Sequence, residues 1–109
     1  MNKQERKVIY DKAEELWGLI AQYDQAIEEM GELIVAINKY KRKCLYGEYQ
    51  GNNKVIKDLI EEIADVKMCL EQLSYYVGEN NVDRLLDQKM GKLQDEIAYM
   101  EKLKESKDN

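Results

Sequence analysis

The chain has 109 residues, 44% of them hydrophobic and 36% charged, with a net charge of −5, which fits one small helical domain with a modest core. A negative net balance argues against a general nucleic-acid binder, whose phosphate contacts need a surface of grouped lysine and arginine. The opening Met-Asn-Lys-Gln-Glu-Arg-Lys has no apolar signal core, and the longest apolar run, Leu33 to Ile37, is too short for a bilayer, so neither export nor membrane anchoring is expected.

The absence of proline and phenylalanine and the abundance of Glu, Lys, Leu and Ile favour helix throughout. The first helix is predicted over about 4–16, where Ile9, Ala13 and Leu16 recur at helical spacing. Trp17-Gly18 interrupts it. A long helix over about 20–43 follows, with Ile20, Tyr23, Ile27, Met30, Ile34 and Ile37 three and four residues apart. Residues 44–53 hold two glycines and an Asn pair and read as the main loop.

Asn53 is a suitable cap for a third helix over 53–77, whose stripe is Ile56, Leu59, Ile63, Val66, Leu70, Leu73 and Val77, with Gly78 as its stop. A fourth helix over about 82–104 opens after Asn80-Asn81 and carries Leu86, Met90, Leu93, Ile97 and Met100. The polar tail from Glu105 to Asn109 is expected to fray. The fold class is therefore all-α, a four-helix bundle with two long antiparallel central helices. A chain this short is expected to gain stability as a homodimer or homotetramer.

The second and third helices share a pattern at an offset of 33 residues. Ile27-Glu28-Glu29 matches Ile60-Glu61-Glu62, Glu32 matches Asp65, Leu33 matches Val66, and Ala36 matches Cys69. At about 100° per residue, Glu29, Glu32 and Ala36 share a sector beside the apolar stripe, as do Glu62, Asp65 and Cys69 on their own helix. Like charges three and four residues apart repel. Any single pair reads as a solvated face, but two matched pairs on antiparallel helices would converge four carboxylates, a costly arrangement without a cation. With no histidine in the chain and only hard oxygen donors, Mg2+ fits best, with Mn2+ as the alternative. The lack of histidine also excludes a di-iron carboxylate bundle. Cys44 and Cys69 have no metal or redox spacing, so reduced thiols and a cytoplasmic location are expected.

These residues resemble the all-α nucleoside triphosphate pyrophosphohydrolases of the MazG type and the related dimeric dUTPases. That family carries E-E-x-x-E-L and E-E-x-x-D-V on successive helices, here Glu28-Glu29-Met30-Gly31-Glu32-Leu33 and Glu61-Glu62-Ile63-Ala64-Asp65-Val66. The likeness runs from Trp17 to about Leu93 and is nearest to the short single-domain forms of phages and prophages, with Trp17-Gly18, Gln22 and the basic stretch from Lys39 to Arg42. It implies hydrolysis between the α and β phosphates of a nucleoside triphosphate, with Glu29, Glu32, Glu62 and Asp65 as magnesium ligands and Glu28 as a water-orienting base. Lys39, Arg42, Lys89 and Lys92 would grip the outer phosphates. The family's last helix follows its lysine with arginines, whereas Asp95 and Glu96 stand here. Trp17 would stack on a base and Gln22 read its edge, although an aromatic at a helix break also serves as a core plug.

The rival reading is a non-catalytic helical scaffold. Ile9, Ala13, Leu16, Ile20, Tyr23, Ile27, Met30, Ile34 and Ile37 fit a heptad pattern, and a degenerate form of the same bundle would bind a partner. Matched carboxylate pairs argue for the enzyme, because a pure coiled coil has no use for them.

Overall fold

A computed structural model describes residues 1–45 and 53–108. The chain is all-α, with α1 (Lys3–Trp17), α2 (Leu19–Tyr40), α3 (Asn53–Val77) and α4 (Glu79–Asp108), and a π-helical turn Lys41–Leu45 after α2. There is no strand among the described residues. The helix predicted over 20–43 thus gives way at Tyr40 to the π turn, which holds Arg42. The loop predicted over 44–53 lies mostly outside the described residues, as does the proposed capping side chain of Asn53.

Two compact units divide the chain, Met1–Tyr76 and Val77–Asn109. In the first, Asn2 caps α1 by accepting the Glu5 N–H at 2.8 Å, as short polar side chains do at helix starts. Gly18 then joins α1 to α2 alone. Its φ of 89° and ψ of 158° lie in a region that glycine enters freely and other residues hardly at all.

The directions of the helices follow from their facing pairs. Gln22 meets Gln72, Glu29 lies beside Asp65, and Glu32 lies beside Glu62, so each step forward along α2 is matched by a step back along α3. The two are antiparallel, as the sequence pattern predicts. Arg6 and Tyr10 both reach Glu71, and Asp11 reaches Tyr75, so α1 runs parallel to α3.

The contact seam differs from the one that hydrophobicity suggests. On α2 the buried and half-buried residues include Gln22, Ala26, Glu29, Leu33, Ala36 and Tyr40, an unbroken alternation of fours and threes that keeps one face inward. On α3 the matching run is Asp58, Glu62, Asp65, Cys69, Gln72 and Tyr76, with Val66 also buried. Ile20, Ile27 and Ile34 are instead 76%, 67% and 60% exposed. Small side chains at Ala26, Ala36 and Cys69 allow close approach of the helices; the bulkier isoleucines form a second, outward-facing seam one residue away.

Polar contacts fasten α1 to this pair. The buried Tyr10 hydroxyl donates to Glu71 Oε1 at 2.6 Å, and Arg6 Nη1 donates to Glu71 Oε2 at 3.0 Å. Tyr76 donates to the Tyr10 carbonyl at 2.7 Å and accepts from Gln72 Nε2 at 2.8 Å, which also donates to Gln22 Oε1 at 2.9 Å. Tyr75 donates to Asp11 at 2.8 Å beneath the Lys7 ammonium, 5.7 Å from its ring centroid.

The second unit carries α4, which is longer than predicted at both ends. Gly78, with φ 120°, makes the break from α3 by itself, so the helix begins at Glu79 and Asn81 falls within its first turn, accepting from Arg84 at 3.2 Å. The tail from Glu105 to Asp108 is helical rather than frayed. Lys104 precedes Asp108 by four residues, a stabilising helical spacing for opposite charges, and Lys107 in the last turn suits the helix dipole.

The Gly18 joint gives a direct test. A Cβ there would meet nothing within 4 Å, so Gly18→Ala should destabilise through backbone strain alone, by about 1–3 kcal/mol. Chemical denaturation of the full chain measures this, and an unchanged midpoint would show that the joint relaxes freely.

Candidate metal centre

Glu29, Glu32 and Glu62 each place one carboxylate oxygen within 4.8 Å of the other two. The sequence brings them there simply: Glu29 and Glu32 are one helical turn apart on α2, and the antiparallel register carries Glu62 opposite Glu32. Asp65 lies outside this trio yet close enough for its charge to raise the pKa of both Glu29 and Cys69.

The environment disfavours negative charge on Glu29 and Glu32. Burial pushes the Glu29 carboxyl above its usual range, and the charges of Glu32 and Asp65 add to this. Glu32 is raised as well, first by desolvation, then by the charges of Glu62 and Glu28. Glu29 Oε1 accepts from Gln25 Nε2 at 2.8 Å, but Oε2 of Glu29 and Oε2 of Glu62 are buried without a hydrogen-bond partner. Buried acceptors are nearly always satisfied in folded proteins, so these two oxygens call for a proton or a cation.

The donor set fits a hard divalent ion. All three clustered groups offer carboxylate oxygen, the preferred ligand of magnesium and manganese. Cys69 is buried beside them, and burial pushes its thiol pKa up, which keeps the weaker, softer donor protonated. Glu29, Glu32 and Glu62 are thus placed to hold such an ion, with Asp65 flanking them.

Other residues singled out from the sequence fall elsewhere. Glu28 is exposed and acts on the cluster through its charge. Trp17 is 69% exposed, so it is not a core plug. Gln22 Oε1 is taken up by Gln72, which makes it a bridge between α2 and α3. Lys39 is exposed in the last turn of α2, and Arg42 is exposed in the π turn. Lys89 and Lys92 are exposed on α4, in the other unit.

The sequence reading missed the clamp on Glu71. That carboxyl is held below its usual range, chiefly by the Tyr10 hydrogen bond and then by Arg6 against an opposing effect of burial, while burial and Glu71 push Tyr10 up to about 12. A tyrosine at the edge of an apolar pattern carries no signal of its partner 61 residues on.

Comparison with known proteins finds no matching family model, no similar curated protein and no similar solved structure.

The raised carboxyls fix the sign of a pH dependence. A carboxyl whose folded pKa exceeds its unfolded value makes the folded state bind more protons in the window above 4.5, so its effect on stability worsens as pH rises through that window. Glu71 acts oppositely, losing its contribution as pH falls through its lowered value. In chelator, Glu32→Gln should therefore melt above wild type at neutral pH, with the difference closing below pH 4.5. Circular dichroism melts across pH check this; a difference independent of pH would mean that the cluster is ordinarily solvated.

Proposed function

We propose that the protein is a magnesium-dependent nucleoside triphosphate pyrophosphohydrolase of the MazG-like type, active with manganese as an alternative and working as a homo-oligomer in the cytoplasm. The observation that carries this reading is the Glu29, Glu32 and Glu62 trio, with its two buried, unpartnered oxygens on the two helices where the motif resemblance lies.

When bound, magnesium would supply charge neutralisation for the triphosphate and would lower the pKa of a water suited to attack at the α-phosphorus. Glu29, Glu32 and Glu62 would hold the ion, with Asp65 completing the negative surround. Glu28, exposed beside the cluster, is available to accept a proton from water. Lys39 stands seven residues beyond Glu32, about 10 Å along the helix and on nearly the same face; with Arg42 in the π turn it suits the outer phosphates. Trp17, being exposed, is free to stack on a base, whereas Gln22 serves the helix contact.

The exposed Ile20, Ile27 and Ile34 support self-association, since a contiguous apolar seam at helical spacing is unfavourable in water. The same seam favours the second reading, a scaffold that binds a partner without catalysis.

Pyrophosphate release, assayed with magnesium over canonical, deoxy and modified nucleoside triphosphates, separates the two. Asp65→Asn should slow the best substrate on the order of a hundredfold, the usual scale for losing one electrostatic contribution to the transition state. The fold should persist, and stabilisation by magnesium should shrink. Hydrolysis at the wild-type rate by this variant would overturn the assignment, and a wild-type protein inert to every triphosphate would leave the scaffold.

A further inference from the structure

The second unit holds a 30-residue helix with no buried residue. Along α4, Leu86, Met90, Leu93, Ile97 and Met100 alternate at spacings of four and three and are 46–58% exposed, the geometry of a coiled-coil seam. The charges beside the seam distinguish between possible partners. In a parallel pairing of two α4 helices, Asp83, Lys104 and Lys107 would each meet their own copy within the seam, and Glu96 would flank the partner's Glu101. All four contacts bring like charges together.

An antiparallel pairing about a two-fold axis near Gly91 and Lys92 reverses this. Leu86 layers on the partner's Ile97 and Met90 on the partner's Leu93, each pairing occurring twice, which gives four apolar layers. Beside them Lys89 faces the partner's Glu96, again twice, and Val82 faces the partner's Leu103. The seam lysines are carried to opposite ends. Opposite charges at flanking positions set orientation in such pairings, and like charges count against the alternative.

We propose that α4 is a self-association element, pairing antiparallel with α4 of a second copy in the register that sets Met90 against the partner's Leu93. The pairing is isologous, as a two-fold interface requires. It is independent of the carboxylate cluster and of any catalysis there.

Spin labels on the full chain test it, in a Cys44→Ser, Cys69→Ala background that leaves one labelling site. With a label at Ser106→Cys, the antiparallel register puts the two labels about 44 Å apart at 1.5 Å per residue; with a label at Lys92→Cys, near the axis, they should be under about 20 Å apart, given interaxial distances of 8–10 Å. Short distances at both positions would mean a parallel pair, and the absence of a short distance at position 92 would mean that α4 does not pair. Either result overturns the proposal. In unlabelled protein, Lys89→Glu should weaken dimerisation in sedimentation equilibrium at low salt, and adding Glu96→Lys should restore it. A double variant no better than the single one would overturn the register.

Discussion

α2 and α3 meet through carboxylates, small side chains and a pair of glutamine amides, and the rest of the first unit follows from that contact. Because Ala26, Ala36 and Cys69 occupy the seam, the helices approach closely; because Glu29 and Glu62 share it and the exposed Glu32 stands at its edge, the approach gathers negative charge. The register that places Gln22 on Gln72 is the one that places Glu32 on Glu62. Packing and charge crowding therefore have a single geometric origin, and relieving one by sliding a helix would disrupt the other.

Such a contact is weakly self-stabilising. Few large apolar groups are buried in it, two carboxylate oxygens lack partners, and repulsion opposes closure. The hydrogen bonds that converge on Glu71 and Tyr76 compensate by fixing α1 along α3, and Gln72 links that network to α2. A cation at the cluster would convert its repulsion into attraction, so ion binding and helix packing are thermodynamically linked: anything that binds the folded cluster and not the unfolded chain stabilises the fold.

Much of this was legible in the residues. The Gly18 and Gly78 breaks were readable because positive φ is glycine's province, and the 33-residue repeat alone put Glu29, Glu32, Glu62 and Asp65 on matching faces of α2 and α3. The inward seam was not legible from hydrophobicity. Ile20, Ile27 and Ile34 make the stronger periodic signal, and nothing in one chain's pattern says whether a stripe faces its own core or the outside. Trp17 was open to two readings, a base-stacking residue and a core plug, because size suggests burial and only its neighbours decide it; its exposure excludes the plug. The Tyr10 to Glu71 clamp was invisible because it joins residues distant in sequence through side-chain tips. α4 was underestimated because asparagines and a charged tail look like helix ends, whereas the helix begins directly after Gly78 and runs through the charged tail to Asp108.

If the facing carboxylates of α2 and α3 form the proposed cation site, the protein binds a hard divalent ion in solution. Titration with Mn2+, following the free ion by electron paramagnetic resonance, tests it without reference to any substrate. Wild-type protein should deplete the free-ion signal, magnesium should restore it by competition, and Glu32→Gln and Glu62→Gln, one change on each helix, should each weaken binding while the helical signal persists. Undiminished free Mn2+ at millimolar concentrations, or equal depletion by wild type and both variants, would contradict the account.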